Sequence, residues 1–136
     1  MSWRAELLAL SARFAGQWAL AEPAVPVRWP NDPTPPPDAA PWLRFAVVPV
    51  DARAVGLAVD GQRLYRHAGL VTLDVFAPPG QGRARLLELA DRAAAILRGW
   101  SAPGLRCAAP RLALGEDDQG WSRATVTVPF ARDSLF

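Results

Sequence analysis

The sequence predicts an α+β fold: a single domain over residues 1–136, with a mostly antiparallel mixed sheet flanked by two main helices. Two long segments carry apolar residues at every third or fourth position, as amphipathic helices do. Several other segments carry apolar residues at alternate positions, as half-buried strands do. These strands follow one another instead of alternating with helices, which favours α+β over a parallel sheet. A length of 136 residues suits one domain with its own core.

The first helix is predicted over residues 3–20. Ser2 is suited to the N-cap, because its side-chain oxygen can accept a hydrogen bond from a free backbone N–H. We expect the apolar stripe of this helix to pack on the sheet, and the alternative is that Trp3 faces a neighbouring subunit. The stripe consists of Trp3, Leu7, Leu10, Phe14 and Trp18.

A short strand is predicted at Val25–Trp29, and Pro26 places it at a sheet edge because proline cannot donate a ladder hydrogen bond. The next residues, about 30–41, contain too many prolines for a helix or a central strand. We expect an extended surface loop with polyproline II character. The alternative is a recruitment ligand for a proline-recognising domain.

The central strands are predicted at Trp42–Val50, Val55–Val59 and Leu70–Ala77. Asp60-Gly61 is a strong signal for a tight turn, and Gln62–Ala68 leads into the last of these strands. One face of that strand is apolar and belongs to the core. The other face, with Leu70, Thr72, Asp74 and Phe76, is half apolar, which predicts either a second helix layer or a subunit contact.

The second helix is predicted at about Arg83–Trp100, with Glu88 and Arg92 at a favourable i, i+4 spacing. Gly99 and Pro103-Gly104 end it. A short strand broken by Pro110 is predicted at Leu105–Leu114, then a polar turn, then a closing strand at Trp121–Phe130. The apolar side of the helix is lined by Leu86, Leu89, Ala90, Ala93, Ile96, Leu97 and Trp100.

Charge and cysteine usage exclude several classes of protein. All 15 basic residues are arginine, and they are mixed with 13 acids, which argues against a dedicated nucleic-acid groove. One cysteine, Cys107, cannot form an internal bridge and is expected to be a buried, inert thiol. The sequence has neither an apolar run long enough to span a bilayer nor a signal-peptide pattern. We therefore expect a soluble, unsecreted protein that does not bind a membrane.

The strand, turn and helix from Arg66 to Trp100 have the order in which phosphate sites occur. The turn Gly80-Gln81-Gly82 lacks the glycine spacing of such sites, and the chain has no lysine, so a structural corner is expected.

His67 is the only histidine, and a strand-end role is favoured over catalysis. Asp117 and Asp118 lack the spacing of a calcium loop. We predict no enzyme activity, cofactor or metal; the alternative is a small hydrolase or nucleotide-binding enzyme centred on His67 and this turn.

Six tryptophans are more than a core of this size needs. Tryptophan is enriched at protein interfaces because it combines a large apolar area with a hydrogen-bond donor. Some of Trp3, Trp29, Trp42 and Trp121 are therefore expected at contacts between chains.

Taken in order, several segments resemble the tail-terminator family of long-tailed bacteriophages, related to the minor tail protein U group. The resemblance covers nearly the whole chain and rests mainly on apolar and turn residues. The dense prolines at Pro33–Pro37 depart from the pattern. The matching segments are Val27–Asn31, Pro41–Arg44, Arg66–Phe76, Pro79–Gly82, Leu89–Asp91, Trp121 and Val126–Phe130.

This resemblance implies a structural subunit of a hexameric ring on the tail tube of a phage, prophage or gene transfer agent. The ring would stop tube elongation, bind the tail tube protein and the head-completion protein, and let DNA pass through its lumen without catalysis. It would sit in the virion tail and assemble in the host cytoplasm. The alternative is a monomeric adaptor that uses its proline-rich loop. The candidate interface residues are Trp29, Trp42, Arg44, Arg63 and Arg66.

Overall fold

Two helices cover one face of a seven-stranded sheet, as a computed structural model shows for residues 2–57, 61–117 and 119–135. The spatial order of the strands is β1-β2-β3-β7-β5-β4, and β6 pairs with β7 beside β5. All pairings are antiparallel except β1 with β2. This confirms the predicted α+β class. The elements are α1 (Trp3–Ala21), β1 (Val27–Arg28), β2 (Trp42–Leu57), β3 (Arg63–Ala77), α2 (Arg83–Leu97), β4 (Ser101–Ala102), β5 (Leu105–Cys107), β6 (Arg111–Glu116) and β7 (Ser122–Leu135).

Both helices form where the apolar spacing predicts them. Ser2 caps α1, because its side-chain oxygen accepts a hydrogen bond of 3.1 Å from the backbone N–H of Ala5. The predicted Glu88–Arg92 pair on α2 is present at 2.9 Å. The second helix ends at Leu97, three residues earlier than predicted, and Gly99 beyond it adopts a left-handed φ of 64°. No helix in the described part of the chain is long and apolar enough to cross a membrane.

The strands β2, β3 and β7 are all longer than predicted: β3 begins at Arg63, seven residues before the predicted Leu70, so His67 lies within the strand and not at its end. The expected break after Val50 does not occur, because β2 continues through β-bulges at Val50 and Val55 to Leu57. The closing strand runs on to Leu135 and keeps its pairing with β3. As predicted, the segment Leu105–Leu114 is broken at Pro110, and the two strands that result, β5 and β6, pair with different parts of β7. The predicted strand end at Val59 and turn residue Asp60 lie outside the described residues.

The core lies between the helices and the facing side of the three long strands, β2, β3 and β7. The predicted core face of β3, which carries Val71, Leu73 and Val75, is fully buried. On α1 the inner part of the predicted stripe is buried, whereas Trp3 and Leu7 are exposed. Aromatic rings link the layers: the ring centroids of Phe14 and Phe45 lie 5.6 Å apart. The opposite face of the sheet carries no helix within the described residues.

An ion pair fastens the start of α1 to β7. The Arg132 and Glu6 side chains are 2% and 4% exposed, and the Arg132 Nε donates to Glu6 Oε2. Such a pair forms only when the helix and the strand have one relative position, so it fixes how α1 lies across the sheet. The prediction missed it because the partners are 126 residues apart.

A second polar cluster fastens the end of α1 to α2. Glu22 is buried and accepts hydrogen bonds from Arg85 and Arg92. The Arg85 guanidinium, by donating to this carboxylate, lowers the pKa of Glu22 despite its burial. At the end of α2, the Arg13 side chain donates to the backbone oxygen of Ile96 at 3.2 Å and lies over the Trp100 ring. Together these contacts fix the angle between the helices.

Glu6→Ala is expected to lower the free energy of unfolding by about 3 kcal/mol or more, because Arg132 would stay buried without its carboxylate partner. The matched control is Glu88→Ala, which removes a 47% exposed carboxylate from α2 and should cost less than about 1 kcal/mol. Urea denaturation at neutral pH measures both. Equal losses in the two variants would contradict this role of the buried pair.

Gly69→Ala is expected to lower the free energy of unfolding by about 1–3 kcal/mol, because the site is already packed. An added Cβ would meet the Phe130 ring at 2.6 Å and the backbone oxygen of Val48 at 2.8 Å. Gly56→Ala is the matched control on β2, since its Cβ would meet nothing within 4 Å. Thermal and urea unfolding compare the two, and a Gly69 variant as stable as the Gly56 variant would refute the packing argument.

Candidate functional site

The sheet face away from the helices carries a cluster of polar and aromatic side chains. Its members are brought together by strand register: Trp42 is opposite Phe76, Arg44 is opposite Asp74, and Asp74 is opposite Thr125. Since residues directly opposite on neighbouring strands point to the same face, three strands contribute to one surface. We call this set the outer-face cluster; it comprises Trp42, Arg44, Asp74, Phe76 and Thr125.

Asp74 is the centre of the outer-face cluster. One carboxylate oxygen accepts hydrogen bonds from the Arg44 guanidinium at 2.8 and 3.2 Å. The other accepts a hydrogen bond of 2.6 Å from the Thr125 hydroxyl. The Asp74 side chain is 12% exposed, whereas that of Arg44 is 49% exposed. The carboxylate is therefore satisfied inside the molecule, while the guanidinium also faces outward.

Two aromatic rings form the apolar part of the cluster. Trp42 and Phe76 are stacked with centroids 4.3 Å apart and planes inclined by 13°. The Arg44 guanidinium carbon lies 5.4 Å from the Phe76 centroid, within cation–π range. Arg44 is thus held by a carboxylate and by a ring at once, which presents a preorganised cation beside an apolar surface.

The proline-rich loop borders this cluster. Thr34–Pro37 and Trp42 line one open cavity of about 270 Å³. A second cavity, of about 240 Å³, lies between Pro37, the stacked rings and Trp121. Asp117 at its rim caps the adjoining turn, accepting hydrogen bonds of 2.9 Å from the backbone N–H groups of Gln119 and Trp121. The loop and this turn extend the exposed surface around Trp42.

The five residues predicted from sequence do not form one surface. Trp42 and Arg44 lie in the outer-face cluster, but Trp29 is half-buried against Phe45, with ring centroids 5.0 Å apart. Arg63 is exposed at the start of β3. Arg66 lies on the same sheet face as Arg44. It is eight residues from Asp74 along β3, which separates the two residues by about 26 Å at a rise of about 3.3 Å per residue.

Arg66 belongs to a separate ion-pair cluster across β3, β7 and β5. Its Nε donates to Asp133 at 2.9 Å, and Arg106 lies 3.6 Å from the other oxygen of the same carboxylate. The Arg66 guanidinium lowers the pKa of Asp133 through this hydrogen bond. Arg53 is opposite Arg66 on β2, so this end of the sheet carries more cations than anions.

Two important members of the cluster, Asp74 and Phe76, were not among the predicted site residues. A signal for Asp74 was present, because aspartate is depleted within strands and here it interrupts an apolar one. The sequence alone does not predict the strand register, which places Arg44 on one side of Asp74 and Thr125 on the other.

The catalytic alternative finds no support in the geometry around His67. Its Nε2 lies 3.2 Å from the Ser134 hydroxyl, and the ring is half-buried beside α1. Burial, followed by the positive charge of Arg132, lowers the pKa of His67. Arg132 is itself paired with Glu6, so these groups form a packed structural cluster.

The other candidate chemical groups are structural as well. Gly80 and Gly82 have φ angles of 85° and 71°, and Gly82 is the N-cap of α2, so the glycines serve the turn. Burial raises the pKa of Cys107 to about 11, as expected for an inert thiol. Within the described residues, no group of three His, Cys, Asp or Glu side chains could hold a metal ion. Asp118 lies outside those residues.

Comparison with known proteins identifies one family. A family model described as phage tail terminator protein matches residues 7–130. No curated protein matches the sequence. One solved structure, of a protein whose name states no function, superposes with a TM-score of 0.70 at 21% identity, covering 97% of this chain and 96% of that one. At that identity the superposition establishes the fold alone.

Asp74→Ala is expected to lower the free energy of unfolding by about 1–3 kcal/mol, because Thr125 and Arg44 lose their shared acceptor. Arg44→Ala should cost less than about 1 kcal/mol, since the guanidinium is half exposed and Asp74 keeps the Thr125 hydrogen bond. Urea denaturation of both variants measures the difference. A larger loss for Arg44→Ala would contradict the assignment of Asp74 as the centre of the cluster.

Proposed function

The chain belongs to the phage tail terminator family, and we propose that it forms a homo-hexameric ring that caps the tail tube. The ring stops tube elongation and provides the surface on which the head-completion protein docks. DNA passes through its lumen without sequence-specific binding. The chain acts as a single domain, in a phage, a prophage or a gene transfer agent, and assembles in the host cytoplasm.

Membership of the family itself establishes that the chain is a structural protein of the phage tail. Phage tail terminators are structural proteins of the virion tail, not enzymes, and they interact with other tail and head components. The packed surroundings of His67 and the structural use of the Gly80–Gly82 turn agree with a structural role.

The outer-face cluster is the observation that supports an assembly role most directly. Aromatic residues and arginine are enriched at the centres of protein interfaces. Trp42 and Phe76 form a rigid stacked pair, and Arg44 is held in place before any partner arrives. A preorganised surface loses less conformational entropy on binding. We assign Trp42 and Arg44 to a contact with a neighbouring subunit.

A closed ring needs two different surfaces on each subunit. A heterologous contact joins one surface to another, and rotation closes the ring when the angle permits. The other end of the sheet is well separated from the outer-face cluster and carries Arg63 and Arg66. We assign these arginines to the second surface or to the lumen, where cations face the DNA. Trp29 supports the loop beside Arg44 from its half-buried position.

The proposal is tested with the purified chain and the tail tube protein encoded in the same gene cluster. Native mass spectrometry should detect a six-copy species, and negative-stain electron microscopy should show a ring at one end of each tube. Adding the chain to growing tubes should stop elongation. Tubes that keep growing at saturating chain, without bound rings, would refute the proposed function.

Arg44→Ala is expected to weaken ring assembly at least tenfold, because Arg44 presents a preorganised cation on the proposed contact surface. Arg83→Ala is the matched control, since it removes an exposed arginine at the start of α2 on the helical side. Sedimentation over a concentration series compares both with the wild type. Equal assembly of all three would remove Arg44 from the contact.

A further inference from the structure

The outer edge of β6 is a strand edge free to pair. Within the described residues β6 pairs only with β7. The backbone N–H of Asp117 donates to Trp121, so by alternation Arg111, Ala113 and Gly115 direct their backbone groups toward β7. The backbone groups of the residues between them therefore point outward, away from β7; these residues are Leu112, Leu114 and Glu116. No proline interrupts β6, and its edge is about 20 Å long at 3.3 Å per residue.

The first part of β2 is protected against strand addition. Leu43 donates its backbone N–H outward to Pro26, so by alternation the odd-numbered residues that follow also point outward. At that edge Pro30 follows β1 with no N–H to donate, and Pro49 has none either. Prolines at these positions prevent a partner strand from continuing along the edge.

The later part of β2 has no proline, and the bulge at Val50 changes which of its residues face outward. One extra residue reverses the alternation, so Asp51 is opposite Ala68 and Ala52 is opposite His67. After the bulge, Ala52 and Ala54 direct their backbone N–H and C=O groups away from β3. Residues 50–56 are all exposed. We call residues 50–57 the arm segment of β2; in the part of the chain that the structure describes it pairs only with β3, so it is a second free edge, and it contains no proline.

The side chains on the two free edges are complementary in size. Leu112 and Leu114 point to the same face as Val126 and Ala124, which is the helix side of the sheet. They are 51% and 45% exposed, although burial of a leucine side chain is favourable. Ala52 and Ala54 point to that face as well, beside His67 and Tyr65. An antiparallel pairing that sets Ala52 opposite Leu114 and Ala54 opposite Leu112 places a small residue against each leucine.

We propose that β6 of one copy pairs with the arm segment of β2 of the next copy, so that the sheet continues from subunit to subunit. This inference rests on the proposed ring, and it names the backbone contact that joins its subunits. The occupant is a second copy because the chain itself supplies two different proline-free edges, as a heterologous contact requires. Pairing of β6 with another β6 would be two-fold symmetric and would stop at a dimer. Strand addition is an established mode of protein recognition.

Leu114→Pro tests the contact, because it removes an outward N–H that the β6–β7 ladder does not use. Leu114→Thr is its matched control, since it shortens the apolar side chain but keeps the N–H. Ala52→Pro and Ala52→Ser form the corresponding pair on the arm segment. Sedimentation should show ring assembly reduced at least tenfold in both proline variants and retained in the controls. Circular dichroism and thermal unfolding verify that each variant is folded.

Mixing the two proline variants tests whether the contact is heterologous. Leu114→Pro keeps an intact arm segment, and Ala52→Pro keeps an intact β6 edge. An equimolar mixture should therefore form a one-to-one pair and no ring. Dimers of Ala52→Pro alone would instead indicate pairing of β6 with β6 and would overturn the proposal, as would normal rings from either proline variant.

Hydrogen exchange gives a readout that does not depend on the proline variants folding. On assembly of the wild type, the amides of Ala52, Ala54, Leu112 and Leu114 should slow, while those of Ala113 and Gly115 are already slow in the monomer. Rings without this slowing would refute the strand pairing and leave the proposed function intact. A wild type that forms no ring, even on the tail tube, would refute both.

Discussion

The fold depends on one constraint: the helices cover only one of the two faces of the three long strands. The two helices supply apolar side chains to that face alone, so the large buried apolar residues of β2, β3 and β7 point toward them, with the exception of Phe76 on the outer face. Burial of this area is the main favourable term in folding, and it is non-directional. One-sided coverage therefore determines which residues form the core. It also leaves an entire sheet face to be stabilised in some other way.

Polar contacts determine how the helices are oriented on the sheet, because apolar burial alone is non-directional. The buried Glu6–Arg132 pair positions the start of α1 over β7, and the Glu22 cluster joins the end of α1 to α2. A buried ion pair adds little net stability, because the desolvation of two charges offsets their attraction. Its effect is to disfavour other packings, in which one charge would be buried alone. The helices are thereby held at one angle, and the strands beneath them keep one register.

The uncovered face and the free edges explain how a small domain of this kind can serve assembly. The outer face is stabilised by cross-strand hydrogen bonds and ring stacking in place of a helix layer. Prolines protect one part of the β2 edge, whereas the part beyond Pro49 has none, and the bulge at Val50 directs the backbone groups of Ala52 and Ala54 outward. The surface thus has rigid aromatic and cationic features and defined edges, and the chemical groups that catalysis would need are in structural use. This division suits the proposed role, in which the chain contacts copies of itself and other tail proteins.

The sequence by itself determined the α+β class, both helices, the Ser2 cap and the core face of β3, because these follow from periods of 3.6 and 2 residues and from local hydrogen bonding. It did not determine the continuation of β2 through two bulges, since a bulge depends on the strand beside it. Residue type singled out Trp42 and Arg44, which lie in the outer-face cluster, and Trp29, which is half-buried against Phe45. Their place at a contact between chains stays a prediction. Only the tertiary structure brings Arg44, Asp74 and Thr125 together and pairs Glu6 with Arg132, because these contacts join residues far apart in sequence through strand register and helix placement.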